Sequence, residues 1–283
     1  MQSRFADDAL LLHNPAETVE RIVRFLKTHT ERIGAKTLIV GMSGGLDSSV
    51  TATLCARAVG GRRTLGLCLP EDETKNQRNL RDAEKVASKH EIEFRTVDIS
   101  PLVRATRNLV KPNGRESKIP MGNAKARLRA MLLYYHANTA KALVVGTGDK
   151  SEIMLGYFTK YGDGACDIQP IADLYKTTVR HLGKHLGLPL EIYSKPSSPE
   201  LWPGQAAEEE LGLSYEKLDM ILWGLERWIE PKQISRELAI SVRTVESVKQ
   251  RWLRAEQKRR PPLALKLGFR TSSQDLRLPY ASQ

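Results

Sequence analysis

Cysteine is scarce in this chain: Cys55, Cys68 and Cys166 are the only three in 283 residues. No two of them form a Cys-x-x-Cys pair, and the low count fits a reducing compartment. Cys55 and Cys68 stand in apolar runs and are expected to be buried and inert. Cys166 falls in a polar stretch with nothing beside it to activate a thiolate. No apolar run approaches the length that spans a bilayer, and the opening residues Met1-Gln-Ser-Arg-Phe-Ala-Asp-Asp lack a signal peptide's apolar core. A membrane helix is therefore excluded and a cytoplasmic location expected. Internal repeats and Pro-, Gly- or Ser-rich low-complexity segments are also missing, so neither a solenoid nor a long linker is expected.

What remains is a globular composition, 41% hydrophobic and 27% charged, long enough to bury a substantial core. The formal charge of +11 calls for an anionic partner. Nucleic acid and a phosphate-rich substrate both satisfy it.

Periodicity divides the chain. Residues 15–33 read as a helix stopped at Gly34, and Thr37–Met42 as a buried strand. Thr64–Leu69 and Phe94–Ile99 read as further strands, with helices over 75–89 and 100–110. Residues 111–120 carry turn chemistry and predict a loop, followed by a helix from Asn123 to Ala140 and a strand over Ala142–Gly146. Strands separated by helices of this length imply an α/β fold: a doubly wound, Rossmann-like parallel sheet flanked by helices. From residue 201 the pattern turns helical, with candidates over 218–229, 231–238 and 242–258. A single domain over 1–283 is expected, with an α/β core at 17–200, a helical C-terminal extension at 201–262 and a tail at 263–283.

Two strand ends carry the chemistry. After the first strand comes Gly41-Met42-Ser43-Gly44-Gly45-Leu46-Asp47-Ser48-Ser49. Glycines at a strand-to-helix junction let the backbone approach a phosphate, and a helix N-terminus adds partial positive charge. Unlike a Walker A loop, this one lacks a Lys before its Ser pair and carries an Asp suited to Mg²⁺. After the fourth strand, Gly146-Thr147-Gly148-Asp149-Lys150-Ser151-Glu152 repeats the strand–turn–helix arrangement. Ligands bind beyond the carboxyl ends of strands in such sheets, so the two loops are expected to share one site. Asp47 and Glu152 are the candidate metal ligands, although Glu152 alone reads as a helix first-turn acid. Residues 156–171 follow neither period and pack aromatics, Lys160, Asp163 and Asp167 between glycines, as binding segments do.

The run Ser43–Ser48 resembles the SGGxDS signature of the ATP pyrophosphatases. Taken with Gly156-Tyr-Phe-Thr-Lys-Tyr-Gly-Asp-Gly-Ala-Cys-Asp-Ile168, Pro196-Ser-Ser-Pro-Glu-Leu-Trp-Pro-Gly-Gln205 and Glu209–Asp219, the sequence is similar to NAD synthetase over residues 17 to 262. That resemblance implies an ammonia-dependent ligase that amidates deamido-NAD through an acyl-adenylate, using ATP and Mg²⁺ and releasing AMP and pyrophosphate. It implies that Gly41 to Ser48 cradle ATP, with Thr147, Lys176 and Ser198 as further contacts, and that Asp47, Lys176 and Thr147 serve catalysis. It assigns the metal to Asp47 and Glu152, and deamido-NAD to Arg127, Lys160, Asp167, Gln257 and Lys258. Where the family usually has His-Lys-Arg, this chain has Gln257-Lys258-Arg259, so a ring contact is replaced by a hydrogen-bonding amide. A homodimer is implied; no specific nucleic acid and no membrane are. No glutaminase pattern occurs, so free ammonia is the expected nitrogen donor.

Two rivals remain at this stage. Residues 231–252 look like a helix-turn-helix, which would make a DNA-binding regulator. A tRNA-modifying ATP pyrophosphatase would share the SGGxDS loop, but its sulfur-transferring members use paired cysteines that this chain lacks. His181 and His185, spaced i, i+4, have no third ligand nearby in sequence and read as surface or core histidines.

Overall fold

A computed structural model describes residues 14–110 and 117–272 together with residues 10, 12, 275 and 276. Four strands, β1 (Thr37–Gly41), β2 (Thr64–Cys68), β3 (Glu93–Thr96) and β4 (Ala142–Val145), form one parallel sheet in the order β3-β2-β1-β4. Their register pairs Ile39 with both Leu65 and Val144. The strands alternate between two cores, which is why they read as continuous apolar runs. Leu38, Val40 and Met42 face one core with α1 (Pro15–Ile33), α2 (Leu46–Val59), α3 (Gln77–Lys89), and Val179 and Leu182 of a later helix. Ile39, Leu65, Leu67 and Val144 face the other, with α4 (Ser100–Val110) and α5 (Lys118–Ala140).

The helix expected from Asn123 begins at Lys118. Pro120 looked like a stop but falls in the first turn, where a missing N–H costs nothing. The predicted loop thus shrinks, and its residues 111–116 lie outside the described ones. The third strand ends at Thr96 rather than Ile99, because the chain turns at Asp98, whose carboxylate accepts the backbone N–H of Ser100 at 2.8 Å.

Beyond β4 come α6 (Lys150–Leu155), an irregular stretch to residue 175, α7 (Lys176–His185) and α8 (Leu190–Tyr193). The extension contains α9 (Ala207–Leu211), α10 (Tyr215–Glu226), α11 (Pro231–Glu237), α12 (Val242–Arg254) and α13 (Glu256–Arg259). The helix expected over 242–258 breaks at Ala255. Leu218, Ile221, Leu222, Ile234, Val245 and Val248 make a third core that takes in Met154 and Leu155 of α6. The extension is therefore fastened to the loop after β4. Among the described residues no helix is long and apolar enough to cross a membrane.

Candidate active site

The strand order reverses between β1 and β4, so the loops leaving these neighbours open into one crevice. It is a cleft of about 840 Å³ lined by Gly41, Met42, Ser43, Gly45, Leu46, Asp47 and Ser48 on one side and by Gly146, Thr147 and Glu152 on the other. Ser198 and Lys258 also reach it. Its size and mixed lining suit a nucleotide-sized ligand.

The glycine loop is braced from within. Met42 N–H donates to Leu67 O at 2.8 Å, continuing the ladder one residue past β1. Ser48 Oγ donates to Gly45 O at 3.1 Å and lies 3.2 Å from Ser43 Oγ. Gly45 is the N-cap of α2 without a side-chain cap, so the helix's first N–H groups face the cleft unclaimed by a capping side chain. Gly44 has φ +80°, and a Cβ there would stand 2.0 Å from the Asn79 carbonyl oxygen. From behind, Lys195 Nζ donates to Gly44 O (2.9 Å), Asn79 Oδ1 (2.7 Å) and Asp82 Oδ2 (2.7 Å). Gly44→Ala is accordingly expected to displace the loop: left-handed strain costs about 1–3 kcal/mol, and the backbone clash with α3 adds to it. ATP affinity measured by calorimetry should fall more than ten-fold, and wild-type affinity would show that the loop can shift without loss.

The cleft floor is an acid–lysine centre. Lys176 Nζ lies 2.7 Å from Asp47 Oδ2, 2.8 Å from Asp149 Oδ2 and 2.8 Å from Glu152 Oε1. The lysine and Asp149 are wholly buried, whereas Asp47 and Glu152 are partly open to the cleft. Burial opposes the lysine charge, but Asp149, Asp47 and Glu152 outweigh it and hold the ammonium pKa well above its usual value. Burial raises both Asp149 and Glu152, helped by the neighbouring carboxylates and opposed by Lys176. One oxygen from each of the three acids lies within 4.8 Å of the others. Asp47 Oδ1 is buried without a hydrogen-bond partner. Three carboxylates with a spare oxygen fit a hard divalent cation such as Mg²⁺.

Of the other expected contacts, Arg127, Lys160, Asp167 and Gln257 are not among the residues that line the cleft. Lys160 Nζ donates to Gln257 O (2.6 Å) and Arg260 O (3.0 Å), and Arg127 Nε donates to Lys160 O (3.3 Å). These residues form one surface group outside the cleft lining. Asp167 accepts from Val144 N (2.7 Å) and Tyr134 Oη (3.1 Å), at the edge of β4. Lys258 donates to Gly156 O (2.8 Å) and Phe158 O (2.9 Å), pinning the irregular segment over the cleft. Ser198 Oγ donates to Gln205 O at 2.6 Å.

Sequence reasoning missed several residues. Asp149, the N-cap of α6, forms a capping box with Glu152, and its spacing to that residue is that of a cap. Arg129, whose charge burial disfavours, lines the cleft and donates to Leu69 O at 3.0 Å. Lys125, 1% exposed, ties Glu71 (2.7 Å), Glu73 (2.8 Å) and Leu201 O (3.1 Å) together at the rim. No local signal marks Lys125 or Lys195, whose partners lie up to 151 residues away. The cysteines behave as expected: all three are free, and burial raises each thiol, Cys68 and Cys166 to about 11. The helix-turn-helix candidate does exist as α11–α12, but Arg251 of α12 lines the cleft and donates to Leu155 O at 3.4 Å. That helix is a wall of the site.

A doubly wound sheet whose switch-point crevice is lined by a glycine loop and a cluster of acids has the form of a nucleotide-binding core. A family model for NAD synthase matches residues 18–262. The chain belongs to the NAD synthase family. It is 44% identical over 242 residues to the NH(3)-dependent NAD(+) synthetase of Methanosarcina mazei, covering 86% of this chain and 94% of that one. It is 42% identical to the protein of the same description from Hyperthermus butylicus, covering 86% and 88%. Among solved structures, the NH3-dependent NAD synthetase of Campylobacter jejuni superposes with a TM-score of 0.77 at 28% identity, covering 90% of this chain and all of that one. An NMN synthetase from Francisella tularensis gives 0.78 at 32%, covering 91% and 100%.

Proposed function

We propose that this protein amidates deamido-NAD with ammonia to NAD, at the expense of ATP. The observation that carries the reading is the meeting of Asp47, Asp149, Glu152 and Lys176 beneath the glycine loop, in a chain of this family. A carboxylate accepts an amine poorly until one of its oxygens becomes a good leaving group. The nicotinate carboxylate attacks the α-phosphorus of ATP, the bond to the β-phosphate bridge breaks, and pyrophosphate leaves. Ammonia then adds to the acyl carbon of the adenylate, AMP departs with the electron pair of the broken acyl–oxygen bond, and the nitrogen sheds a proton.

The chain's task is to orient and to neutralise charge. The N–H groups at the start of α2 and the hydroxyls of Ser43 and Ser48 bind phosphate oxygens, with Thr147 and Ser198 flanking them. Asp47 and Glu152, with Asp149 behind them, would hold Mg²⁺, which supplies charge neutralisation on the triphosphate. Lys176 places an ammonium among the three acids and opposes the burial that raises Asp149 and Glu152. Arg127, Lys160, Asp167, Gln257 and Lys258 form the deamido-NAD side, where guanidinium and ammonium groups suit a pyrophosphate. Met131 and Tyr135, exposed one turn apart on α5 beside Arg127, support a homodimer built over that surface. The free cysteines support a cytoplasmic location.

The test is incubation with ATP, Mg²⁺, ammonium and either deamido-NAD or nicotinate mononucleotide. NAD, AMP and pyrophosphate should appear together, only with the dinucleotide, and not after chelation of the metal. ADP and phosphate, or preference for the mononucleotide, would overturn the reading. Because the nucleophile is NH₃, the rate at fixed total ammonium should rise with pH. Glutamine freed of ammonia should give little product; equal rates with glutamine would reveal an amidase site.

A further inference from the structure

The segment Leu211-Gly-Leu-Ser-Tyr-Glu-Lys-Leu-Asp219 has no part in the reaction described above, yet two of its side chains end against the acid–lysine centre. Asp219 on α10 is wholly buried and reaches out of the helical extension into the α/β core. Its Oδ1 accepts Ser151 Oγ–H of α6 at 2.5 Å. Its Oδ2 accepts Thr177 N–H of α7 at 2.9 Å and Thr177 Oγ1–H at 2.8 Å. Ser151 Oγ in turn accepts the backbone N–H of Lys176 at 2.9 Å.

The geometry of these four bonds is that of a staple between two helix starts. Tyr175, the N-cap of α7, makes no side-chain cap bond, so Asp219 and Ser151 satisfy the first N–H groups of that helix from other elements. The carboxyl also sits where the α7 dipole favours negative charge, against the burial that pushes its pKa up to about 7. The two tied helices carry the machinery: α6 and its N-cap supply Glu152 and Asp149, and α7 supplies Lys176 as its first residue. One turn before Asp219, Tyr215 lies with its ring 5.3 Å from Lys176 Nζ, a cation–π contact in a fully buried site.

We propose that Asp219, acting through Ser151 and assisted by Tyr215, is the positioning residue by which the helical extension fixes Lys176 against Asp149 and Glu152. The extension is on this view part of the catalytic apparatus without touching substrate. The idea rests on the functional reading given above only for its effect on rate. The registry itself is a property of the unliganded chain.

The experiment has two arms on the full-length protein. In the first, amide hydrogen exchange is followed without ligands in Asp219→Asn and Ser151→Ala. Each variant leaves a buried hydrogen-bonding group without its partner, which raises local opening about ten-fold or more. The Lys176 amide in Ser151→Ala and the Thr177 amide in Asp219→Asn should exchange faster by that factor, while Leu38, Ile39 and Val40 in β1 stay protected. In the second arm, steady-state kinetics should show kcat lowered about ten-fold or more in both variants with KM for ATP and deamido-NAD unchanged, because only alignment is lost. Should Asp219→Asn fail to fold, Ser151→Ala decides, since it removes one hydroxyl and leaves the Asp219–Thr177 bonds in place. Unchanged exchange at residues 176–177 overturns the proposal, and so does wild-type kcat despite faster exchange. A wild-type protein that forms no NAD would sink the functional reading while leaving the exchange result to stand.

Discussion

Lys176→Met should be the most destabilising single change at the site. Among the described residues the lysine is the one cation lying against Asp47, Asp149 and Glu152 at 2.7–2.8 Å, and it is wholly buried with Asp149. Removing one partner of such a cluster leaves uncompensated buried charge, a loss of about 3–5 kcal/mol. Urea unfolding monitored by circular dichroism measures it. The sign of the pH dependence follows from the pKa directions. In the wild type, the raised Lys176 pKa gives stability fully present below the unfolded lysine value of about 10.4 and lost only as pH climbs through the folded value, so the lysine itself adds no slope near neutrality. Burial and mutual repulsion already raise Asp149 and Glu152 in the wild type, and in the variant no lysine opposes them, so both rise further and the slope between about pH 4 and neutrality becomes steeper than in the wild type. The folded state then holds protons that the unfolded state has released. Stability should fall as pH rises from about 4 toward neutrality, where carboxylates of the unfolded chain are ionised. Mg²⁺ should raise the variant's unfolding midpoint more than that of the wild type, because three oxygen donors lose their internal cation. A deficit below about 1 kcal/mol, the worth of an exposed pair, and flat with pH would mean that water already compensates these acids.

Glu152→Gln is expected to have the largest effect on rate. The change preserves shape: an amide oxygen can still accept from Lys176 Nζ, now at 2.8 Å, and the helix start remains capped by Asp149. What disappears is a negative charge at the cleft wall, one of two open carboxylates assigned to the metal. Removing a preorganised charge-stabilising group of this kind lowers kcat by about 10²–10³. Asp47→Asn should behave alike, with thermal unfolding close to wild type in both. The metal concentration at half-maximal rate should rise. Near-normal turnover in a folded Glu152→Gln protein would demote Glu152 to a first-turn acid that favours the helix dipole.

How far the sequence alone goes is clear from particular elements. It determined β1 with its SGGLDSS loop, because an apolar run followed by glycines and hydroxyls is a local pattern whose physics operates within ten residues. It determined the second strand-end loop, the irregular segment 156–171, the helical extension and, through their order, the family. It did not determine where Lys176 would sit. That side chain meets Asp47, 129 positions earlier, only because β4 joins β1 directly and brings α6 and α7 beside the glycine loop. Asp149 shows the other kind of limit: its spacing to Glu152 is that of a cap, and only burial beside a lysine gives its carboxylate a second partner. Lys195 behind Gly44, Lys125 at the rim and Asp219 between two helix starts carry no periodic or turn signal at all. Periodicity and capping are local properties of the chain. The partners of a buried charge are chosen by which strands become neighbours, and only the tertiary structure decided that.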